Sequence, residues 1–210
     1  MRFLITAGPT REPIDPVRFL SNRSSGKMGF ALAEAALTRG HEVCLVSGPV
    51  SLPFPEKAEL RSVETAVEMF AAVKKAITDV DVAIFCAAVS DYRAKEFADQ
   101  KIKKNAGELT LTLVKNPDIL GSARDEFGFE GYLAGFAAET ENLAENAWKK
   151  MRRKGCDLLV ANDVSRSDIG FDQDENEVHL FFSDGRQEAI ARCSKGTIAA
   201  LIIEAIEREA

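Results

Sequence analysis

The chain has 210 residues, of which 46% are hydrophobic, and its formal net charge is −6. This length and composition allow one substantial hydrophobic core, so we expect a single domain over residues 1–210. The negative charge removes the electrostatic basis for a nucleic-acid partner, and no apolar run approaches the roughly 20 residues that span a bilayer, so neither nucleic acid nor membrane is an expected partner.

The four cysteines, Cys44, Cys86, Cys156 and Cys193, occur singly, and none has the spacing of a metal-binding pair. Free thiols in a reducing compartment are therefore expected. The first residues have the pattern of a strand, without the charged region and apolar stretch of a cleavable leader. These features predict a cytoplasmic protein.

The first strand and the first helix are separated by a polar, glycine-containing loop. Residues 2–7 are an apolar run, and residues 30–37 carry apolar side chains at helical spacing. Ser24 or Ser25 is predicted to cap the helix, so Gly26 would present free N–H groups and the positive end of the helix dipole to an anion such as a phosphate. An ordinary capped helix without a ligand is the alternative. The loop does not contain a Walker A motif or the glycine fingerprint of a dinucleotide site.

The rest of the chain alternates between strand and helix patterns. Such alternation predicts βαβ units around a mostly parallel sheet with helices on both faces, a Rossmann-like three-layer α/β fold. Ligands of such folds bind where the strands end, so polar residues after strands are candidate ligands. The predicted strands are 42–46, 80–88, 132–138 and 157–162, and the predicted helices lie near 64–78, 117–126 and 142–154.

Two antiparallel excursions are predicted in addition. Residues 101–104 and 109–115 flank a turn at 105–107 and are expected to pair as an arm, over about 98–116. Residues 177–182 and 187–190 flank an Asp-Gly turn and predict a C-terminal hairpin. The last helix is predicted to begin at Ser194.

Lysines on the arm and on one later helix are candidate anion ligands. Lys101 lies in a lysine cluster on the arm, where solvated edge lysines are the alternative explanation. Lys150 and Lys154 are separated by four residues, so they share a helix face and repel each other unless an anion lies between them. A basic last turn that complements the helix dipole is the other explanation for this pair.

Three further features complete the set of candidates. Asn116 followed by Pro117 predicts a capped helix start. Asp91 follows an apolar strand, where its carboxylate is suited to a sugar hydroxyl or a magnesium ion. His41 and His179 are the only histidines, and neither is assigned a catalytic role.

An ordered set of motifs covering nearly the whole chain resembles phosphopantothenate–cysteine ligase, in the bacterial form that uses CTP. That form is often fused behind a flavin-dependent decarboxylase, which is absent from this sequence, so we expect either a separately encoded ligase or a domain excised from a longer protein. The motifs are residues 7–18 (AGPTREPIDPVR), 21–29 (SNRSSGKMG), 87–92 (AAVSDY), 101–104 (KIKK), 114–119 (VKNPDI), 135–140 (GFAAET) and 161–164 (ANDV).

The resemblance implies a two-step ligation in coenzyme A biosynthesis. The carboxylate of 4′-phosphopantothenate would attack the α-phosphorus of CTP, giving an acyl-cytidylate and pyrophosphate, and the amine of L-cysteine would then displace CMP. The resemblance also implies Mg²⁺, a homodimer, and no flavin in this chain. A separate phosphopantothenoylcysteine decarboxylase is a conceivable partner. The alternatives are the ATP-dependent version of the ligase and a noncatalytic or redox dinucleotide-binding protein.

The resemblance assigns roles to residues at the matching positions. Asn22 would hold the acyl-cytidylate, and Lys101 would act from the arm. Ser24, Ser25 and Gly26 would bind the phosphate of phosphopantothenate or shape the loop. Mg²⁺ would be held mainly by the nucleotide phosphates, with Asp91 as a candidate ligand. The residues expected to contact CTP are Asp91, Lys101, Pro117, Asp118, Ile119, Leu120, Phe136, Lys150 and Lys154.

Overall fold

The computed structural model describes residues 1–104, 107–163 and 173–210. Residues 105 and 106 of the predicted turn, and Val164 of the last motif, lie outside these ranges. The helices are α1 (Lys27–Thr38), α2 (Ala66–Ala76), α3 (Ile119–Asp125), α4 (Leu143–Lys154) and α5 (Lys195–Glu209). The strands are β1 (Arg2–Ala7), β2 (Arg11–Pro13), β3 (Phe19–Ser21), β4 (Glu42–Ser47), β5 (Glu59–Ser62), β6 (Val82–Phe85), β7 (Tyr92–Ala94), β8 (Leu113–Lys115), β9 (Tyr132–Glu139), β10 (Leu158–Asp163), β11 (Glu175–Phe182) and β12 (Gln187–Ser194).

Eight of the strands form one sheet in the order β12-β11-β10-β9-β6-β1-β4-β5. The strands from β10 to β5 in this order are parallel, whereas β11 and β12 are antiparallel to their neighbours. The predicted parallel sheet and C-terminal hairpin are therefore confirmed. Strand β6 is shorter than the predicted 80–88, because the backbone beyond it turns toward the loop after β1, where the Ala88 N–H donates to the Gly8 carbonyl at 2.9 Å.

Helices cover both faces of this sheet. Alternate residues of β1 point to opposite faces. Phe3 and Ile5 pack in the core covered by α1 and α5, whereas Leu4 packs in the core under α2 and α4. All three side chains are fully buried. The architecture is the three-layer α/β fold that the sequence predicts.

The arm pairs differently from the prediction. Strand β8 pairs antiparallel with β7, not with residues 101–104, which form no strand. The Lys95 N–H extends this pairing by donating to the Thr112 carbonyl at 2.9 Å. The segment before residue 102 instead contacts the loop between β2 and β3, where the Ala98 N–H donates to the Ile14 carbonyl at 3.0 Å. Tertiary contacts with that loop thus replace the predicted strand pairing.

Two predicted helix caps are wrong. Helix α1 is preceded by Gly26 as N-cap, with φ of 78°, and not by a serine. A Cβ at this position would lie 2.6 Å from Cγ1 of Val50, so the close approach of two loops requires glycine. Helix α3 begins after Asp118, whose Oδ1 accepts from the Gly121 N–H at 2.9 Å. The Asn116 amide is used elsewhere, since its Nδ2 donates to the Ser90 carbonyl at 2.8 Å.

The sequence also predicts free thiols and no segment long enough to span a membrane. All four cysteines are free, and Cys44 and Cys156 are buried, as predicted. Within the described ranges, no helix is both long enough and apolar enough to cross a bilayer.

Candidate active site

Two adjoining cavities lie at the edge of the sheet where the parallel strands end. The strand order reverses at β1, which lies between β6 and β4. The chain therefore leaves the ends of β1 and β6 toward opposite faces of the sheet, and a crevice forms between them. Cavity 1 has a volume of about 460 Å³ and cavity 2 of about 410 Å³. The two cavities share a wall whose members line both of them: Ala87, Val89, Asp91, Phe136 and Lys150.

Cavity 1 is a basic cleft between the residues after β6, the start of α3 and the last turns of α4. Arg153 and Lys115 join the two predicted lysines of α4 in its lining. Eight of the nine residues predicted to contact a nucleotide also line it: Asp91, Pro117, Asp118, Ile119, Leu120, Phe136, Lys150 and Lys154. The fold therefore brings together residues that are up to 63 positions apart, from Asp91 to Lys154.

Lys150 and Lys154 share one face of α4, as predicted, but each has its own protein partner. Lys150 Nζ donates to the Phe136 carbonyl at 2.7 Å. Lys154 forms an ion pair with Asp118 and is 9% exposed. Burial lowers the pKa of both ammonium groups. These charges are therefore incompletely solvated, and an anion bound in cavity 1 would stabilise them.

Cavity 2 begins at the loop that joins β3 to α1. Ser24, Ser25 and Gly26 line it together with Asn22. Asn22 Nδ2 donates to the Ala88 carbonyl at 3.1 Å, which ties this loop to the segment that follows β6. The positive φ of the glycine lets the loop turn directly into α1, whose first N–H groups point toward this end of the helix.

Cavity 2 is also lined by Asn176 and Lys195, which the sequence did not single out, and by Lys27 of the motif at residues 21–29. Lys27 opens α1, Lys195 opens α5, and Asn176 lies on β11. Lys27 Nζ pairs with Asp174 at 2.6 Å. Lys195 is 7% exposed. The sequence predicts only that a helix begins at Ser194. The position of Lys195 at this end of the sheet depends on how β11 and β12 join the sheet, which the sequence pattern does not show.

Cys86 also lines cavity 2. Burial raises the pKa of its thiol to about 12, so it stays protonated near neutral pH and is a poor nucleophile. We therefore assign it no chemical role.

Lys101 is placed outside the walls of both cavities. Its side chain is exposed, on the arm segment that precedes Ile102. Lys101 is therefore the one residue predicted to contact the nucleotide that does not line cavity 1 in this chain.

Few carboxylates line the two cavities in the part of the chain that the structure describes. Asp91 and Asp118 line cavity 1, and the second of these is engaged by Lys154. Over the described ranges of the chain, no group of three or more His, Cys, Asp or Glu side chains is arranged to hold a metal ion. A divalent cation at this site would need most of its ligands from a bound molecule.

Comparisons with known proteins agree on one family. Residues 1–209 match the family described as DFP, the DNA/pantothenate metabolism flavoprotein C-terminal domain. The coenzyme A biosynthesis bifunctional protein CoaBC of Escherichia coli (strain K12) is 53% identical over 188 residues, covering 88% of this chain and 46% of that protein. CoaBC of Bacillus subtilis (strain 168) is 46% identical over 204 residues, covering 97% and 50%.

A crystal structure of the C-terminal domain of a CoaBC protein is similar throughout. It has a TM-score of 0.84 and 41% identity, covering 99% of this chain and 94% of that one. The chain spans about half the length of the curated relatives it matches. The similarity thus extends over nearly all of this chain but only part of the bifunctional relatives.

Proposed function

Because the chain belongs to the DNA/pantothenate metabolism flavoprotein C-terminal domain family, we propose that it is a phosphopantothenate–cysteine ligase of coenzyme A biosynthesis. It would join 4′-phosphopantothenate to L-cysteine at the expense of CTP. Its relatives are named as bifunctional proteins of coenzyme A biosynthesis, and this chain matches about half of each. One observation carries the proposal: two cavities of similar volume meet along a shared wall.

The adjoining cavities suit a reaction between two large anionic substrates. An acyl-nucleotide forms only if a carboxylate reaches the α-phosphorus of the nucleotide, so the two molecules must lie end to end. Cavity 1 and cavity 2 are each large enough for a small-molecule ligand. Asp91, Phe136 and Lys150 of the shared wall would then border the reacting atoms.

We place CTP in cavity 1. Residues 117–120 and Phe136 would contact the nucleoside, and Lys150 and Lys154 would contact its phosphates. Burial lowers the pKa of both lysines, and the negative charge of a bound phosphate would compensate for the water that their ammonium groups have lost. This supports the placement. Mg²⁺ would enter with CTP as part of the substrate, held mainly by phosphate oxygens, with Asp91 of the shared wall as a candidate ligand.

We place phosphopantothenate in cavity 2. The loop of Ser24, Ser25 and Gly26 would hold its phosphate or shape the cavity around it. Lys27, which directly follows this loop and also pairs with Asp174, and Lys195 would supply positive charge for the same anion. The carboxylate end of the substrate would then face the shared wall and the α-phosphorus of CTP.

The chemistry has two steps. A carboxylate oxygen attacks the α-phosphorus, the bond from that phosphorus to the bridging oxygen breaks, and pyrophosphate leaves. The cysteine amine then attacks the acyl carbon to form the amide bond, the carbon–oxygen bond to the nucleotide breaks, CMP leaves with its electron pair, and the amine nitrogen releases one proton to water. Cationic side chains lower the barrier of the first step by stabilising the charge that develops on phosphate oxygens. Asn22, whose amide both donates and accepts hydrogen bonds, would hold the intermediate during the second step.

We also propose that the chain acts as a homodimer in the cytoplasm, with no flavin, nucleic acid or membrane as a partner. Exposed apolar side chains on the β2–β3 hairpin, on β7 and just before the arm support an interface there: Val17 (60%), Phe19 (47%), Tyr92 (47%) and Phe97 (51%). Lys101, exposed on the same arm, would act at the site in that assembly. A phosphopantothenoylcysteine decarboxylase would act on the product.

The test is the release of pyrophosphate by the purified chain with CTP, 4′-phosphopantothenate, L-cysteine and Mg²⁺. We expect release that requires both CTP and phosphopantothenate, and 4′-phosphopantothenoylcysteine as the product by mass spectrometry. ATP replaces CTP in a parallel reaction, and a higher rate with ATP would contradict the nucleotide assignment. A bound flavin or nicotinamide absorbance without ligation would support a dinucleotide-binding protein instead.

A further inference from the structure

The loop between β2 and β3 carries a buried carboxylate that belongs to neither cavity. Asp15 is 2% exposed. Its Oδ1 accepts from the backbone N–H groups of Val17 and Arg18, each at 2.9 Å. These two hydrogen bonds form a local turn, and they use only one of the two carboxylate oxygens.

The second oxygen of Asp15 points to the arm. Oδ2 accepts from Arg18 Nε at 3.0 Å and from the Ile102 N–H at 3.1 Å. Arg18 Nη2 also pairs with Oδ2 and donates to the Ile102 carbonyl at 2.8 Å. Asp15 and Arg18 therefore hold both backbone polar groups of Ile102, and we call this arrangement the Ile102 clamp.

The clamp lies directly beside Lys101. Residues 101–104 form no helix or strand, so no ladder of backbone hydrogen bonds fixes their direction. A residue held at both its N–H and its carbonyl has the peptide groups on both of its sides fixed, and the side chain of the preceding residue then starts from a fixed point. The Arg18 guanidinium holds the pKa of Asp15 well below its usual range, so the carboxylate stays ionised in the neutral range.

We propose that Asp15 is a positioning residue for Lys101: it fixes the arm backbone at Ile102 so that the lysine is presented to the reacting phosphate. This inference rests on the proposed function, because it assigns Lys101 to that reaction. The inference adds to the proposed function a residue that lies outside both cavities and affects turnover through the arm.

The two oxygens of Asp15 allow a selective variant. In Asp15→Asn, the remaining oxygen can still accept from Val17 and Arg18, whereas the amide nitrogen cannot accept from Ile102. The turn is kept and the clamp is lost. Arg18→Met is the second variant, because it removes the guanidinium that donates to the Ile102 carbonyl and leaves no side-chain donor.

Asp184→Asn is the matched control. Asp184 also accepts a backbone N–H on Oδ1, from Arg186 at 2.9 Å, and the guanidinium of the same arginine on Oδ2, at 2.5 Å. It lies in the turn of the C-terminal hairpin, away from the arm. Its substitution therefore reproduces the loss of an Asp–Arg pair without touching the clamp.

The first measurement is tryptic cleavage after Lys101 and after Lys103, followed by mass spectrometry. Without the clamp, we expect these peptide bonds to be cleaved at least about tenfold faster, because local opening becomes more frequent. The Asp184→Asn control is expected to match the wild type. Unchanged cleavage in both clamp variants would refute the clamp itself, whatever the activity of the chain.

The second measurement is the steady-state ligase rate. We expect Asp15→Asn to lower kcat about ten- to hundredfold, as for a displaced catalytic group, with the KM for CTP within about twofold. Combined with Lys101→Gln, it should cause no loss beyond that of Lys101→Gln alone. Additive losses, or an unaffected kcat in Asp15→Asn, would refute the role of Asp15. A wild-type chain that forms no product would refute the proposed function, and the role of Asp15 with it.

Discussion

Replacing Lys150 by methionine tests whether cavity 1 binds the CTP phosphates. Methionine keeps an unbranched apolar stem and removes the ammonium that donates to the Phe136 carbonyl at 2.7 Å. Losing one hydrogen bond costs about 1 kcal/mol. Burial already lowers the pKa of the Lys150 ammonium, so removing this poorly solvated charge offsets part of the cost. Without ligand, the free energy of unfolding of the variant should therefore lie within about 1 kcal/mol of the wild-type value.

The effect on CTP should be larger. A phosphate oxygen about 4 Å from an ammonium near a protein surface contributes about 4 kcal/mol at an effective dielectric constant of about 20. Because cavity 1 opens to solvent, we expect about 2.8 kcal/mol of this to be lost, or about a hundredfold in affinity. With CTP at about 100 times the wild-type Kd, ligand stabilisation falls from about 2.7 to about 0.4 kcal/mol. For a chain of this size, the rise in Tm shrinks from about 5–11 °C to about 1–2 °C.

The assay is thermal unfolding with and without CTP and Mg²⁺. Lys149→Met is the control, because Lys149 lies on the same helix but pairs with Glu145 at 2.6 Å and is 64% exposed. It should keep the full CTP-induced rise in Tm. If Lys150→Met also kept the full rise, the basic end of α4 would serve only the helix dipole, and the placement of CTP in cavity 1 would be refuted.

Three further predictions concern other parts of the molecule. Asn22→Asp should slow amide formation more than pyrophosphate release, because an anion replaces the amide beside the acyl phosphate; equal losses in quenched-flow measurements would contradict this. Gly26→Ala should lower the free energy of unfolding in urea by at least about 1 kcal/mol more than Gly40→Ala, since both have positive φ but only the first introduces a clash. Equal losses would disprove the close packing of the loop. Arg39 lowers the pKa of Glu207 from 4.5 to about 2, so the stabilisation it provides is present above about pH 4.5 and is lost as pH falls toward 2. Glu207→Gln should therefore flatten the fall in unfolding free energy between pH 6 and pH 3, and an unchanged slope would argue against this ion pair.

The sheet was predictable because most residues of its central strands are buried. Residues 42–46 and 132–138 are apolar runs without alternation, which indicates cover on both faces, and both form parallel strands. Strand β5 was missed, since Glu59 and Arg61 flank Leu60 and give an edge strand little apolar signal. Local pattern thus identifies buried strands better than exposed ones.

The errors arose where tertiary contacts override local preference. Ser24 is a good capping residue by type, yet packing against Val50 selects Gly26 as the cap. Asn116 is another good cap, but its amide is used by the segment after β6. The arm was paired with the wrong segment because the Ile102 clamp depends on residues more than 80 positions away. Spacing along the sequence does not encode such contacts.

The candidate site was predictable in parts. Residues of cavity 1 follow strand ends or share a helix face, which are local signals. Lys195 and Asn176 were missed, because they reach cavity 2 only through the antiparallel pairing of β11 with β10.

The composite wall of cavity 2 has a consequence for how the chain matures. Its lining extends along the sequence from Asn22 to Lys195, so the cavity is complete only when the C-terminal hairpin and α5 have joined the sheet. A chain still emerging from the ribosome, or one truncated before α5, lacks part of this wall. Since a ligand stabilises only the state that binds it, substrates in the cell would selectively protect finished molecules from proteolysis and leave incomplete ones to be degraded.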